Sequence, residues 1–462
     1  MNTTAAYTRY RFDMSVGNET KTIINNPPSE ATQKTTIGYK SGIEDFSGKV
    51  DFDWSPNPNH DIKFGANYTF HTFRPGVMIA QMKITGQSIS QQMDTTIGDQ
   101  SMMAHEVTGY FEDNITLSPV VKLNAGLHFS SFSVQNQLYN SLPQPRIGLR
   151  VLLSDNLSFK AGFATMSQYI HLLSNSSISL PTDLWVPVTK RIAPMQSTQY
   201  SAGFFYNLAN LLDFSVEGYY KSMDNLIEYK DGASFLGSST GWEDKVSMGR
   251  GWAYGVEFLA QKTIGKTTGW IGYTWSKAER LFDRPGQEIN EGVAFPAKYD
   301  RTHDFSVVVS HKFSDRFDVS ATWVYSTGSC GTLALQTYKG TDVPQSNYYY
   351  QMTVSSYSGI STTNSFPTTT NLPYINSRNN FRYDPYHRLD VGVNFHKKLK
   401  HGIRTWNFSV YNVYNQLNPF LTTVTTKYQY NYSTGMMESN KKVLTQISIF
   451  PIIPSVSYSY KF

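Results

Sequence analysis

The chain has 462 residues, of which 40% are hydrophobic and only 16% charged, with a net charge of +5. No apolar run approaches the roughly 18 residues a membrane helix needs, and no basic stripe marks a nucleic-acid surface. Aromatics reach 15%, with 31 Tyr and 28 Phe, and a single cysteine, Cys330, excludes an intrachain disulfide.

From the start of the chain, apolar and polar residues alternate. Tyr10, Phe12, Met14 and Val16 alternate with Arg9, Arg11, Asp13 and Ser15. A polar loop with Pro27-Pro28 follows, then Phe46, Val50, Phe52 and Trp54 against Lys49, Asp51 and Asp53. The turn Ser55-Pro56-Asn57-Pro58-Asn59, dense in turn formers, leads to Ile62, Phe64, Ala66, Tyr68 and Phe70. A loop over 75–100 separates these from strands around Val107–Phe111 and Leu123–Phe129.

Two pairs come next, Ile147–Leu153 with Leu157–Phe163 and Tyr200–Tyr206 with Leu212–Tyr220. Between them the segment 168–195 holds Pro181, Trp185 and Pro187, too many breakers for a strand. The clearest stretch is 249–328. There Trp252, Tyr254, Val256 and Phe258 share one parity, followed by Ile271, Tyr273 and Trp275, then Phe305, Val307 and Val309, then Phe317, Val319, Ala321, Trp323 and Tyr325. An irregular segment rich in Ser, Thr, Asn and Tyr runs over 328–384, a length that is usually functional. Leu389–Phe395 and Trp406–Val410 form a further pair, with a parity change near Tyr411-Val413 that predicts a bulge.

Period-two alternation predicts strands with one apolar and one polar face. A soluble sandwich would share that period. Short turns alternating with long loops, and aromatics near both ends of each stripe, predict instead an all-β antiparallel transmembrane β-barrel. About sixteen strands are expected, in a single domain over residues 1–462. Even positions in 251–260 and odd positions in 305–313 should face lipid. Asp51, Asp53, Asp213, Glu217, Glu257, Asp304 and Asp318 should line a polar lumen.

Motifs for covalent chemistry, a metal or a cofactor are missing from the sequence: no His-Glu-x-x-His, Cys-x-x-Cys, phosphate-binding loop or nucleophile elbow occurs. Gly249-x-Gly251 with Gly255 has the wrong spacing for a dinucleotide fingerprint and reads as a kink entering a strand. His303, His311, His387 and His396 lie on separate strands or strand ends, as lumen or rim hydrogen-bonding groups. The loops carry Trp185, Trp242, Tyr338, Tyr348, Tyr349, Tyr350, Tyr357 and Tyr374. These rings suit either a ligand surface or loop packing plus the outer aromatic belt. At the end of the chain Tyr458, Tyr460 and Phe462 share one face, the signature of a closing strand read by the barrel assembly machinery.

Five strings go beyond generic alternation. They are Leu180-Pro181-Thr182-Asp183-Leu184-Trp185-Val186-Pro187, the run from Gly249 to Glu257, the run from Phe295 to Asp304, Pro385-Tyr386-His387-Arg388-Leu389-Asp390, and Phe450-Pro451-Ile452-Ile453-Pro454-Ser455. In these strings the chain resembles the barrel of the TonB-dependent outer-membrane receptors of Bacteroides-type bacteria. The resemblance implies a nutrient importer in outer-membrane lipid, coupled to the TonB energy-coupling complex through a plug domain and in some cases capped by a surface lipoprotein. Such barrels have about 22 strands. The plug, the coupling segment and about six leading strands are therefore expected upstream of Met1, and Met1-Asn2-Thr3-Thr4 lacks the regions of a signal peptide. The alternative is a self-contained passive porin of sixteen strands, with 328–384 as its constricting loop. A third reading, a barrel enzyme, would need a catalytic group converging at one rim, and the sequence shows none.

Overall fold

The computed structural model describes residues 1–25, 28–86, 90–98, 101–174, 184–233, 241–334, 336–339, 352–353, 361–362, 371–431 and 436–462. Sixteen long strands follow one another in antiparallel order. They are β1 (Asn2–Asn25), β2 (Pro28–Asn57), β3 (His60–Gly86), β4 (Met102–Thr116), β5 (Val121–Val134), β6 (Gln144–Ser154), β7 (Leu157–Gln168) and β8 (Met195–Leu208). The second half comprises β9 (Leu212–Tyr229), β10 (Val246–Lys262), β11 (Thr267–Leu281), β12 (His303–Ser314), β13 (Phe317–Ser326), β14 (Tyr386–Leu399), β15 (Gly402–Tyr411) and β16 (Ile453–Lys461). Each pairs with its sequence neighbours in one sheet, and among the described residues no ladder joins β16 to β1. The expected strand number and the all-β antiparallel class both hold.

Cross-strand rows separate the two faces. Val216, Phe258, Tyr273, Phe305 and Tyr325 are successive partners across five strands, as are Phe317, Phe395, Trp406 and Tyr458 across four. Their rings touch: Phe258 to Tyr273 at 6.1 Å, Phe317 to Phe395 at 5.2 Å and Trp406 to Tyr458 at 5.0 Å between centroids. On the opposite face the rows are polar. Asp318 receives Asn394 Nδ2 at 2.8 Å and contacts His396 Nε2 at 2.5 Å, and Asn407 donates to Asn394 at 2.8 Å. Tyr110 donates to Asp51 at 2.5 Å.

The polar face is the concave one. On that face His71 of β3 meets Phe132 of β5, two strands away, at 5.9 Å between ring centroids, a convergence that belongs to the inside of a curved wall. The apolar rows therefore look outward. From Phe46 to Trp54 the outward stripe of β2 runs roughly 27 Å along the strand, or about 20 Å of height at a barrel strand's tilt, within the ~25 Å apolar band of a membrane barrel.

Beyond that height the pattern inverts. Tyr7 faces out beside Phe46, at 4.7 Å, but Tyr10 and Phe12 lie on the inner face, with Phe12 against Tyr39 at 6.4 Å. The same outward positions now carry ions, Arg9 with Glu44 at 3.1 Å and Lys40 with Asp13 at 3.6 Å. Past the lipid, outside means water, so apolar side chains gain only by turning in. The alternating stripe of Tyr10, Phe12 and Met14 thus belongs to the interior and not to the lipid surface.

The structure departs from the sequence reading in four further places. β1 and β2 do not stop for a polar loop but continue as a tall hairpin to Asn25 and Pro28. β3 runs on to Gly86 and pairs there with Ser90–Gly98, inside the expected 75–100 loop. The bulge foreseen near Tyr411 is a strand end: Asn412 takes φ +55 and its side chain bonds Gln416 and Phe450. Finally, the irregularity expected at Gly249–Gly251 lies on the neighbouring strand: the register with β9 shifts between Asp224 and Leu226, opposite Arg250 and Gly249, while β10 keeps unbroken register with β11 from Arg250 onward. Gly249, Gly251 and Gly255 are there because a Cβ at each would strike the next strand's carbonyl, at 2.5–2.7 Å.

The assignment of faces predicts an asymmetric cost. Arginine at Val256 or Val307, in the outward rows, should destabilise the barrel by ~2–4 kcal/mol when near mid-membrane. Arginine at Ser306, on the inner face, should cost much less. Folding free energies in lipid vesicles measure this, and equal losses at both parities would overturn it.

Candidate functional site

Short turns such as Pro58-Asn59 and Asp155-Asn156 lie at one end of the wall, and the long connections, together with the tip of the tall β1–β2 hairpin, lie at the other. By the convention of membrane barrels the long-loop end faces outside. The concave mouth there is roofed by the connection between β7 and β8. Its breakers do not prevent a small hairpin, Ile170–Leu173 with Leu184–Pro187. Leu184 and Val186 pack with Tyr39, Ile227 and Trp242 in one buried cluster, and Val188 packs with Ile43, Phe73, Met102 and Phe132 in a second. Alternation in a segment with no sheet on either side is thus explained by insertion between two walls.

Polar bonds fix the roof at its base. Tyr169 stacks on Phe132 with centroids 5.1 Å apart, and its hydroxyl lies 2.9 Å from Ser130 Oγ. Tyr139 donates to the Thr189 carbonyl at 2.5 Å. His171 is buried, and its Nε2 finds no partner among the described residues. Burial pushes this imidazole down to about 4, against a smaller opposite effect from a bond to the Ala193 backbone.

A second set of contacts anchors the start and end of the 328–384 segment. Glu228, 2% exposed, pairs with Arg280 and with Arg378, whose Nη2 lies 3.2 Å away. Arg378 also reaches Asp231 at 3.1 Å, and its N–H donates to Asn290 Oδ1 at 2.7 Å. Asn379 donates to the Pro296 carbonyl at 2.8 Å. Arg382 pairs at 2.5 Å with Asp300, which is buried and accepts the Ala278 N–H at 2.7 Å. The run from Phe295 to Asp304 is therefore a docking strip: Phe295 sits in a buried cluster with Phe282 and Ile289, and Asp300 takes the ion pair.

The sequence-predicted aromatics divide. Trp185 is half-buried beside the second cluster and borders an open recess of about 500 Å3. Trp242 is 7% exposed within the first cluster, so its ring is committed to loop packing. Tyr338 lies on the short strand Gln336–Lys339, opposite Leu372, and Tyr374 is exposed at that strand pair's other end. Tyr348, Tyr349, Tyr350 and Tyr357 lie outside the described residues. The four histidines hydrogen-bond separately: His303 to Tyr273, His311 to Thr267, His387 to Tyr414 and His396 to Asp318. Tyr458 faces outward against Trp406, and Tyr460 meets Phe462 at 5.2 Å.

Sequence reasoning missed Glu228, Arg378 and Asp300. Their partners lie 52 to 150 residues away, so no local spacing announces them. It also missed Asp45, His71 and Glu106, which share the inner wall of the mouth. His71 Nδ1 lies 2.8 Å from Asp45 Oδ1, and Nε2 lies 3.4 Å from Glu106 Oε2.

Two outcomes follow from this packing. Glu228→Gln leaves two arginines against a neutral group, and losing one side of a buried pair costs about 3–5 kcal/mol. The 376–382 strip should then undock, read as faster hydrogen exchange there with the strands unchanged. For His171, the unfolded imidazole titrates near 6.5, above the folded value. Roof docking is therefore strongest above pH 6.5 and weakens as pH falls toward 4, by up to about 3 kcal/mol. Proteolysis of the roof against pH should show that loss, and His171→Leu should abolish it.

Three comparisons bear on identity. The sequence profile described as "TonB dependent receptor-like, beta-barrel" matches residues 2–415. No curated protein matches the sequence. Among solved structures, the F5-1 variant of the FrpB iron transporter from Neisseria meningitidis gives a TM-score of 0.54 at 11% identity, covering 98% of this chain and 64% of that one. The F3-3 variant gives 0.53 at 12% identity, covering 98% and 63%. This chain thus spans somewhat under two thirds of those proteins, and at such identity the likeness is one of fold. The profile match covers most of the chain and disfavours a self-contained porin: the chain belongs to the TonB-dependent receptor-like β-barrel family of the outer membrane.

Proposed function

We propose that this chain forms the wall and capture surface of an importer for a scarce nutrient, working with a plug domain and the TonB complex. The observation that supports this most is the roofed mouth. A hairpin inserted between two walls, beside a second strip anchored by buried ion pairs, makes a shaped surface on the long-loop side, where an open pore would need none. In this reading ligand contact is concentrated in the 168–195 and 328–384 connections, with Trp185 and Tyr374 among the rings that meet ligand. Tyr338, Tyr348, Tyr349, Tyr350 and Tyr357 belong to the same surface. The wall does no covalent chemistry: its strands satisfy their backbone groups across lipid, and its polar inner rows face the plug. Tyr458, Tyr460 and Phe462 serve the assembly machinery during insertion. A surface lipoprotein is a further partner that the tall β1–β2 hairpin and the β3 extension paired with Ser90–Gly98 would meet first.

The test is removal of residues 338–374 from the protein expressed in its own outer membrane. Uptake and ligand binding should be lost while heat-modifiable migration on gels persists. Uptake should also vanish when the TonB complex is deleted, with the barrel still present. Uptake surviving both changes would sink the importer reading.

A further inference from the structure

The recess beside Trp185 is acidic and aromatic, and no described residue of the roof fills it. Its floor is formed by Asp45 on β2 and Glu106 on β4, and its sides by Tyr10, Ile43, Tyr169 and Trp185. Strand parity explains the charge. Asp45 and His71 are direct cross-strand partners on the inner face, and Glu106 shares that face one strand on. Arg9 borders the recess, but it occupies the opposite parity, and its Nε bonds Glu44 at 3.1 Å, a carboxylate also held by Arg74 at 2.8 Å. The inward set is therefore two carboxylates against one imidazole, and it stays negative whichever state His71 adopts.

His71 is the second observation. It is only 4% exposed, so it works from behind the floor, and it pairs with both carboxylates, Nδ1 lying 2.8 Å from Asp45 Oδ1 and Nε2 3.4 Å from Glu106 Oε2. Asp45 is held in place by Nδ1 and by the Thr8 hydroxyl, which donates at 3.3 Å. Glu106 has no such second donor among the contacts described, and it lines the recess. The aromatic side is likewise placed in advance: Tyr169 is stacked on Phe132 and fixes the start of the hairpin that carries Trp185, while Tyr10 is more than one-third exposed.

We infer that this recess binds a small organic cation, an ammonium or guanidinium on a flat or apolar body, with the charge on Glu106 and Asp45 and the body between Tyr10 and Trp185. A charged donor on a carboxylate makes a short, strong hydrogen bond, and a cation held near aromatic faces gains from their quadrupoles. Buried apolar area on Ile43 and Trp185 supplies the remainder. Carboxylate or phosphate ligands would meet like charge on the floor and be rejected. The inference rests on the long-loop end being the capture surface.

Two probes of opposite charge on the same phenol ring test it: tyramine and 4-hydroxyphenylacetate. Titrated by calorimetry into the detergent-solubilised protein, tyramine should bind saturably and the acid at least about tenfold more weakly. Glu106→Gln should remove most of that preference, and Trp185→Ala should weaken tyramine binding while leaving heat-modifiability intact. Equal binding of both probes, no saturable binding of tyramine, or an unchanged preference in Glu106→Gln overturns the inference. The importer reading is judged separately by TonB-dependent uptake. Intact discrimination without uptake would keep the recess and remove the importer, and uptake without discrimination would do the reverse.

Discussion

The structure depends on one constraint: each strand stands between two different solvents, and successive side chains must point into alternate ones. Lipid on the convex side admits Phe258, Tyr273 and Phe305, whereas the concave side admits Glu257, Thr274 and Asp304 on the same three strands. A slip of one residue would exchange all of them at once. Register across the wall is thereby fixed without any single strong contact. It can absorb irregularities only where an extra residue is tolerated, as at Asn225, which takes φ +59 between Asp224 and Leu226.

The same constraint explains where the wall changes character. Within the lipid band the inner face is polar and the outer face apolar, and above it the order reverses. Tyr39, Ile43 and Phe73 then become available as an inner surface onto which the roof can fold. A mouth lined only by polar rows would have given Leu184, Val186 and Val188 nothing to pack against. The roof, its buried His171 and the recess at its edge all follow from that reversal.

Legibility in the sequence tracks this division closely. Alternation at Trp252–Phe258 and Phe305–Val309 is strong because lipid tolerates no exception there, so strand number, order and outward faces can be read from residues alone. Above the membrane the signal inverts at Tyr7–Tyr10, and Arg74-Pro75 has the look of a strand end although β3 continues past it. Trp185 was visible as an aromatic in a loop, but its position at a recess depends on a hairpin whose strands pack against β2 and β3. Asp45, His71 and Glu106 come from three strands, and each alone looks like an ordinary inward polar residue. Glu228 and Arg378 lie still further apart, and only the folded wall makes them neighbours.

The anchoring of the 328–384 segment has a consequence for how such a protein can change. Both ends of the segment are fastened to the wall: Cys330-Gly331 pairs with Phe381-Arg382, and Arg378 and Arg382 are tied to Glu228 and Asp300. Sequence strung between two fixed posts can lengthen at small thermodynamic expense, about 0.6 kcal/mol for each doubling of a flexible span. Insertions and rewrites between the posts leave the membrane wall untouched. The posts therefore confine change to the outer surface, which can be rewritten without disturbing the part that must survive in lipid.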